Sequence, residues 1–145
     1  MDWTPHVTVA AVICENQRFL LVEEQSEGEI VLNQPAGHWE QDETLAQASS
    51  REVLEEAAWH FEPQAITGIY TYTGGNQVTY LRIAFAGRHY QFEPQRELDT
   101  GILRTVWLTR DEIAQAPNLR SPMVLQCVDD YISQVRYPLN LIHTL

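Results

Sequence analysis

The sequence predicts an α/β (α+β) fold in which a mixed β-sheet carries helices packed on its faces. Three observations carry that expectation. Strand-like apolar runs come in two groups of three, so the elements read β-β-β-α-β-β-β-α-α. One long segment, from about Thr44 to just before Phe61, lacks Gly and Pro and is rich in Ala, Leu, Glu and Gln, all good helix formers. Strand and helix do not alternate regularly, which argues against a doubly wound parallel sheet. At 145 residues the chain has the length of one domain with a real core, and it is read as a single domain over 1–145. Hydrophobic residues make up 44%, which excludes a disordered chain.

The elements follow in order. His6 to Cys14 is an apolar, largely buried strand. Glu15 to Arg18 turns the chain into a second strand, Phe19 to Glu24. A polar loop with Gly28 leads to a third strand at Ile30 to Leu32, and His38 to Glu40 reads as a short extended piece. Asp42 is placed to cap the long helix, and Glu43 favours the positive end of its dipole. Ala65 to Thr73 alternates weakly, Gly74-Gly75-Asn76 signals a hairpin, and Gln77 to Ala86 is the clearest later strand. Its pattern sets Val78, Tyr80, Arg82 and Ala84 on one face and Leu81, Ile83 and Phe85 on the other. The stretch from Gly87 to Asp99 is a polar, acidic loop, followed by a strand from Leu103 to Leu108. Thr109 to Glu112 is a capping box opening a short helix that stops at Pro117. Ser121-Pro122 starts a second long helix, closed by Pro138, with Val124, Val128, Tyr131 and Val135 on its core face.

The first long helix carries the chemistry. At about 100° per residue Ala46, Ser50, Val53 and Ala57 share one face, with Leu54 beside them, and their small size suits close packing on a sheet. Glu52, Glu55 and Glu56 fall on the opposite side, spaced i, i+3 and i+4, so their carboxylates converge. Leu45 falls on that acidic side as well. At about 4 Å each like-charged pair costs roughly 1 kcal/mol in water and about 4 kcal/mol at an effective dielectric near 20. Only Arg51, nearest Glu55, stands close enough in sequence to relieve the repulsion. A bound divalent cation also relieves it, and oxygen ligands of this kind suit Mg²⁺ or Mn²⁺. A solvated acidic helix face is the competing reading.

The loop before the helix shifts the balance toward the cation. Gln34-Pro35-Ala36-Gly37-His38 follows the third strand, and Gly37 lets the backbone turn or approach a ligand closely. Gly37, five residues, Glu43, seven residues and then Arg51-Glu52-Val53-Leu54-Glu55-Glu56 resembles the Nudix box of the Nudix hydrolases. Val53 and Trp59 hold its apolar positions. Ala58 departs from the pattern, since the family usually has Gly there, and a left-handed backbone at Ala58 would be strained. The resemblance implies a Nudix-type α/β/α sandwich. It further implies a catalytic set of Glu52, Glu55 and Glu56 that holds metal, Glu55 acting as ligand or as a base orienting water, with the Ala36 carbonyl as a main-chain ligand, and Glu43 and Arg51 as a pair bracing the loop. Pro5 to Ala10, Asn33 to His38, Asn118 to Pro122 and Arg136-Tyr137-Pro138 are similar to the NudJ-type phosphatases within that family. That likeness implies nucleoside di- and triphosphates, and phosphorylated thiamine-related pyrimidines, as substrates.

Other candidates are weighed against plainer roles. His38 reaches a phosphate or is a simple loop histidine. Trp39, Tyr70 and Tyr72 stack a heterocycle or belong to the core. Arg120 contacts phosphate or steadies the start of the last helix. Glu97 and Asp99 supply a further ligand or base from a loop, or are merely solvated. His6, His60, His89 and His143 have no ligand-like spacing.

The net charge is −11, and all nine basic residues are Arg. No general basic field exists for a nucleic-acid polymer, so a phosphorylated small molecule must be met locally by metal and a few arginines. No apolar run approaches the roughly 20 residues of a membrane span. Without a secretory signal, Cys14 and Cys127 read as buried, reduced thiols of a cytoplasmic protein. The sequence therefore predicts a Mg²⁺-dependent hydrolase of small organic di- and triphosphates. The rival is a non-catalytic protein that keeps the metal cradle to sense a nucleotide. Monomer and dimer both stay open.

Overall fold

The computed structural model describes residues 2–145. The strands are β1 (His6–Val12), β2 (Cys14–Glu15), β3 (Arg18–Ser26), β4 (Glu29–Asn33), β5 (Ala36–His38), β6 (His60–Thr73), β7 (Thr79–Tyr90) and β8 (Ile102–Thr109). The helices are α1 (Leu45–Ala57), α2 (Arg110–Gln115) and α3 (Met123–Ile132), with a 3₁₀ turn at Leu139–Leu141. The expected mixed sheet is present as β5-β1-β7-β6, in which β1 and β7 run parallel and the other pairs antiparallel. A second, antiparallel sheet was not foreseen. It is centred on β3, with β8 along one edge and β2 and β4 sharing the other. Sequence runs show strands but not which strands pair, so one sheet and two sheets look alike along the chain.

Alternation across β1 and β7 makes the layers. Val9, Ala11, Ile83 and Phe85 pack on Ala48, Val53 and Ala57 of α1. Ala10, Val12 and Ala84 project the other way, onto Val124, Cys127 and Val128 of α3. This is the α/β/α sandwich. The largest side chains of the two clusters, among them Phe85, Ile13, Leu20 and Leu21, are fully buried. Burying one such side chain is worth about 1.5–3 kcal/mol, so the two clusters hold the helices against the sheet.

Several local expectations change. Thr44, not Asp42, caps α1: its hydroxyl accepts from the Gln47 N–H while the Gln47 side chain accepts from the Thr44 N–H. Asp42 lies in a left-handed turn before the helix, at φ 67°. Leu45, on the acidic side of the wheel, packs against the α1 core cluster, because the start of the helix is tucked against the sheet. β6 begins at His60 and runs through Pro63, and β7 continues to Tyr90, both longer than the sequence suggested. Pro63 is tolerated beside a register shift in the β6–β7 ladder. The helix expected to run to Pro138 stops at Ile132, leaving Val135 outside it. Cys127 is buried as expected, Cys14 only partly, and both are free thiols.

Candidate active site

The acids of α1 are not on a solvated face. Glu52 is 6% exposed and Glu56 8%, although the helical wheel set them opposite the core. The reason is β5, the edge strand of the mixed sheet, which lies against the acidic side of the helix. Gly37 makes that approach possible. A Cβ built at Gly37 would sit 2.2 Å from the Glu52 carboxylate, so only glycine leaves room for it. Glu56 reaches the same strand, where its Oε1 accepts the Ala36 N–H at 2.9 Å.

Arg51 ties the remaining acids together. Its guanidinium lies 2.8 Å from Glu43, 2.8 Å from Glu52, 2.9 Å from Glu55 and 3.2 Å from Glu40, and it donates to the His38 carbonyl at 3.0 Å. Glu43 also accepts the Glu40 N–H, so the loop before the helix is stitched down at both ends. Glu43, held by Arg51, titrates below the usual carboxylate range. The two buried acids behave in the opposite way. Burial pushes Glu52 from 4.5 up to about 7 despite Arg51, and Glu56 up to about 9 despite the Ala36 N–H. Burial and the neighbouring Glu55 also raise Asp99. Glu52, Glu55 and Asp99 each bring a carboxylate oxygen within 4.8 Å of the others. One arginine is too little counter-charge for this group, and convergent carboxylate oxygens are the donor set of a hard divalent cation. The residues present therefore fit such an ion.

A cavity of about 350 Å³ opens beside the acids. Of the residues singled out in the sequence, Ala36, Gly37, His38, Glu52, Glu56, Tyr72, Asp99 and Arg120 line it. Glu55 stands at its acidic end. Tyr70 does not reach it: its hydroxyl donates to Asp130 of α3 at 2.7 Å. Trp39 is exposed, and its Nε1–H donates to the Glu43 carbonyl, so it belongs to the loop brace. Glu97 is exposed and outside the cavity. Arg120 pairs with Glu24 at 2.7 Å. His38 meets His6 at 3.1 Å, and burial, His6 and Arg120 together lower its pKa.

Strand pairing explains the other wall. Across the sheet, His38, Thr8, Arg82 and Tyr70 stand abreast, and the next row is His6, Tyr80 and Tyr72. Thr8, Tyr80 and Arg82 enter the cavity this way, together with Glu24, Asn33, Ser121 and Met123. Sequence reading missed them as site residues. The alternation that put Tyr80 and Arg82 on one face was the available signal, since a strand-borne arginine on a face with small apolar neighbours calls for a reason.

The sandwich thus sets an acid-lined cavity at its β5 edge, beside a helix that carries three of the acids. The chain belongs to the Nudix hydrolase family: the Nudix domain profile matches residues 4–126. It is 41% identical over 138 residues to Phosphatase NudJ of Escherichia coli K12, covering 95% of this chain and 90% of that one. A Nudix hydrolase from Nitrosomonas europaea has 50% identity and a TM-score of 0.95 over 98% of both chains. A MutT protein from Methanosarcina mazei shares the fold at 21% identity, with a TM-score of 0.75 over 92% of this chain and 97% of that one. Family membership supports hydrolysis of phosphoanhydride-type bonds in small phosphorylated molecules. Among the described residues no helix is long and apolar enough to cross a membrane.

Proposed function

We propose that this chain, as one Nudix domain over residues 1–145, is a Mg²⁺-dependent hydrolase of phosphoanhydride bonds in small organic di- and triphosphates. Nucleoside di- and triphosphates fall within that class, in keeping with the likeness to a NudJ phosphatase. One observation carries the reading: Glu52, Glu55 and Asp99 converge within 4.8 Å of one another at the end of a cavity large enough for a phosphate chain. Mn²⁺ is expected to substitute, since it accepts the same oxygen ligands.

A divalent cation held there would supply charge to offset phosphate oxygens and to acidify an attacking water. Glu52, Glu55 and Glu56, with the Ala36 carbonyl, are the residues that would hold it, and Asp99 stands within reach of Glu52 and Glu55 as a further ligand or base. Glu55 or Asp99, on the solvent side of the acidic cluster, would take the proton from the attacking water. Arg51 fixes Glu52 and Glu55 in place, and Glu43 fixes Arg51. The cavity's small size and the net charge of −11 both favour a small substrate over a polymer.

A phosphate-release assay over a panel of nucleoside di- and triphosphates tests this. Activity should require Mg²⁺ or Mn²⁺, vanish in EDTA and return on adding metal. Undiminished turnover with metal shown to be absent would overturn the reading, as would a clear preference for long RNA over free nucleotides across a range of salt.

A further inference from the structure

Arg82 lines the same cavity as the acids and is 3% exposed. Its Nη1 donates to Gln34 Oε1 at 2.7 Å and more weakly to Cys127 Sγ at 3.8 Å, and its Nη2 donates to Asn33 Oδ1 at 2.8 Å. Its Nε–H has no partner, and among the described residues it is the single buried side-chain polar atom in that position. None of the three partners carries a full negative charge that would balance the guanidinium.

Three other arginines show the satisfied arrangement. Arg51, Arg104 and Arg110 each turn the edge formed by Nε and Nη2 side-on to one carboxylate, with distances between 2.8 and 3.1 Å. The same edge of Arg82 meets only the Asn33 amide oxygen. A desolvated cation left with neutral partners is held at a cost, and a buried donor without an acceptor adds to it. An incoming anion would remove both costs at once. The missing piece is an anion with an oxygen for Nε–H.

The position in the sheet says which anion. Arg82 lies deeper than the partly buried Tyr80 and Tyr72, which stand one row along toward the open side. Behind it the floor is closed by Cys127, which is fully buried, and by Tyr70 bound to Asp130. Ser121 and Met123, at the N-terminal end of α3, bring the positive end of that helix to the same cavity. A phosphoryl group with substituents on both sides would have to push one of them beneath the tyrosines. A phosphoryl group that ends the chain has nothing further to bury.

We propose that Arg82 is a substrate-binding residue whose free Nε–H takes an oxygen of the terminal, unsubstituted phosphoryl group, while the organic group leaves the cavity past Tyr72 and Tyr80. The inference rests on the reading of the cavity as the seat of a phosphate chain. It makes a free phosphate terminus a condition of tight binding, and leaves the organic group loosely specified.

Calorimetric binding of two probes in the presence of Mg²⁺ tests it without relying on turnover. One probe is an α,β-methylene nucleoside diphosphate, and the other is the same compound with its terminal phosphoryl capped as a methyl ester. The wild-type protein should bind the uncapped probe at least tenfold more tightly. In Arg82→Gln the preference should fall to near unity, through loss of affinity for the uncapped probe alone. In Arg82→Lys, which keeps the charge and the folding environment but loses the fork, it should fall partway. Equal affinity of the wild type for the two probes overturns the proposal, as does an undiminished preference in whichever variant folds. Failure of the hydrolase reading would show instead as probe binding by a protein that releases no phosphate from ordinary nucleoside di- and triphosphates in Mg²⁺.

Discussion

Arg51 stands among the acids of α1 and its preceding loop, Arg82 lines the cavity beside them, and their surroundings are opposites. Arg51 meets four carboxylates and a carbonyl, so all its charge is spent inside the protein. Arg82 is far more deeply buried yet meets two amides and a thiol. Burial alone therefore does not decide what an arginine is for; the bookkeeping of its partners does. An arginine whose partners all belong to the chain is a brace. An arginine whose partners leave its charge unbalanced is the candidate for a ligand from outside. The pair also shows how the acidic end works: Arg51 satisfies Glu43 fully, but leaves Glu52 and Glu56 with their charged forms disfavoured.

The largest effect in this comparison is expected from Arg51→Met. It removes the brace while keeping the aliphatic stem. Glu43, Glu52 and Glu55 would then repel without relief, costing about 2–3 kcal/mol of stability after allowing for partial exposure. Metal-dependent turnover should fall by roughly 10–100-fold, as when groups orienting metal ligands are lost. Denaturant melts beside a turnover assay read both. A stable, fully active Arg51→Met would break the contrast between brace and binder.

A smaller effect concerns pH in the absence of metal. The folded-state pKa values of Glu52 and Glu56 are raised from 4.5 to about 7 and about 9. Between those limits the folded protein holds protons that the unfolded chain has released, so stability falls as pH rises. Melts in EDTA should show the loss from about pH 5 to about pH 9, on the order of a few kcal/mol in total. Mg²⁺ should reverse the trend, because a bound cation favours the charged acids. In Glu56→Gln the loss above pH 7 should largely disappear, together with most activity, since the amide still accepts the Ala36 N–H. A melting temperature independent of pH in metal-free wild type would show that Arg51 satisfies more of the acids than the geometry implies.

The smallest effect belongs to the far end of α1, away from both arginines. Ala58 closes the helix in a left-handed conformation, at φ 61°, with its N–H on the Leu54 carbonyl. Such a backbone costs a non-glycine residue about 1–2 kcal/mol. Ala58→Gly relieves it but loses a buried methyl and adds chain entropy, so the net gain should be about 0.5 kcal/mol, a rise of about 1–2 °C in Tm. Turnover should not change. A shift in metal response would mean that the helix end and the acidic edge are coupled.

Much of this was readable from residues, and the reason is local. The spacing from Gly37 to Glu56 fixes a loop and a helix whose geometry is nearly independent of the rest of the chain. The alternation in Thr79 to Ala86 fixed which residues share a face. Long-range facts were not readable. Nothing adjacent to Glu52 says that β5 will cover it, so the wheel placed a buried acid in solvent. Tyr70 and Tyr72 share a face, but only the position of α3 sends one to Asp130 and leaves the other at the cavity. Arg82 was seen as a strand residue and not as a site residue, because its partners come from positions 33, 34 and 127. Thr44 was missed because Asp42 is the stronger cap by residue type, and the turn at positive φ decides otherwise.

Gly37 has one more consequence. Because a single methyl there would collide with Glu52, the position works as a lock whose key is the absence of a side chain. Every acid of the cradle could be kept and the protein could still lose the arrangement of its charges, through a change of one small, uncharged residue on a neighbouring strand. The sequence distance between the two, fifteen positions, hides that they form one mechanical unit. The placement of the acidic edge is thus set by a residue that bears no charge, through its neighbour's emptiness.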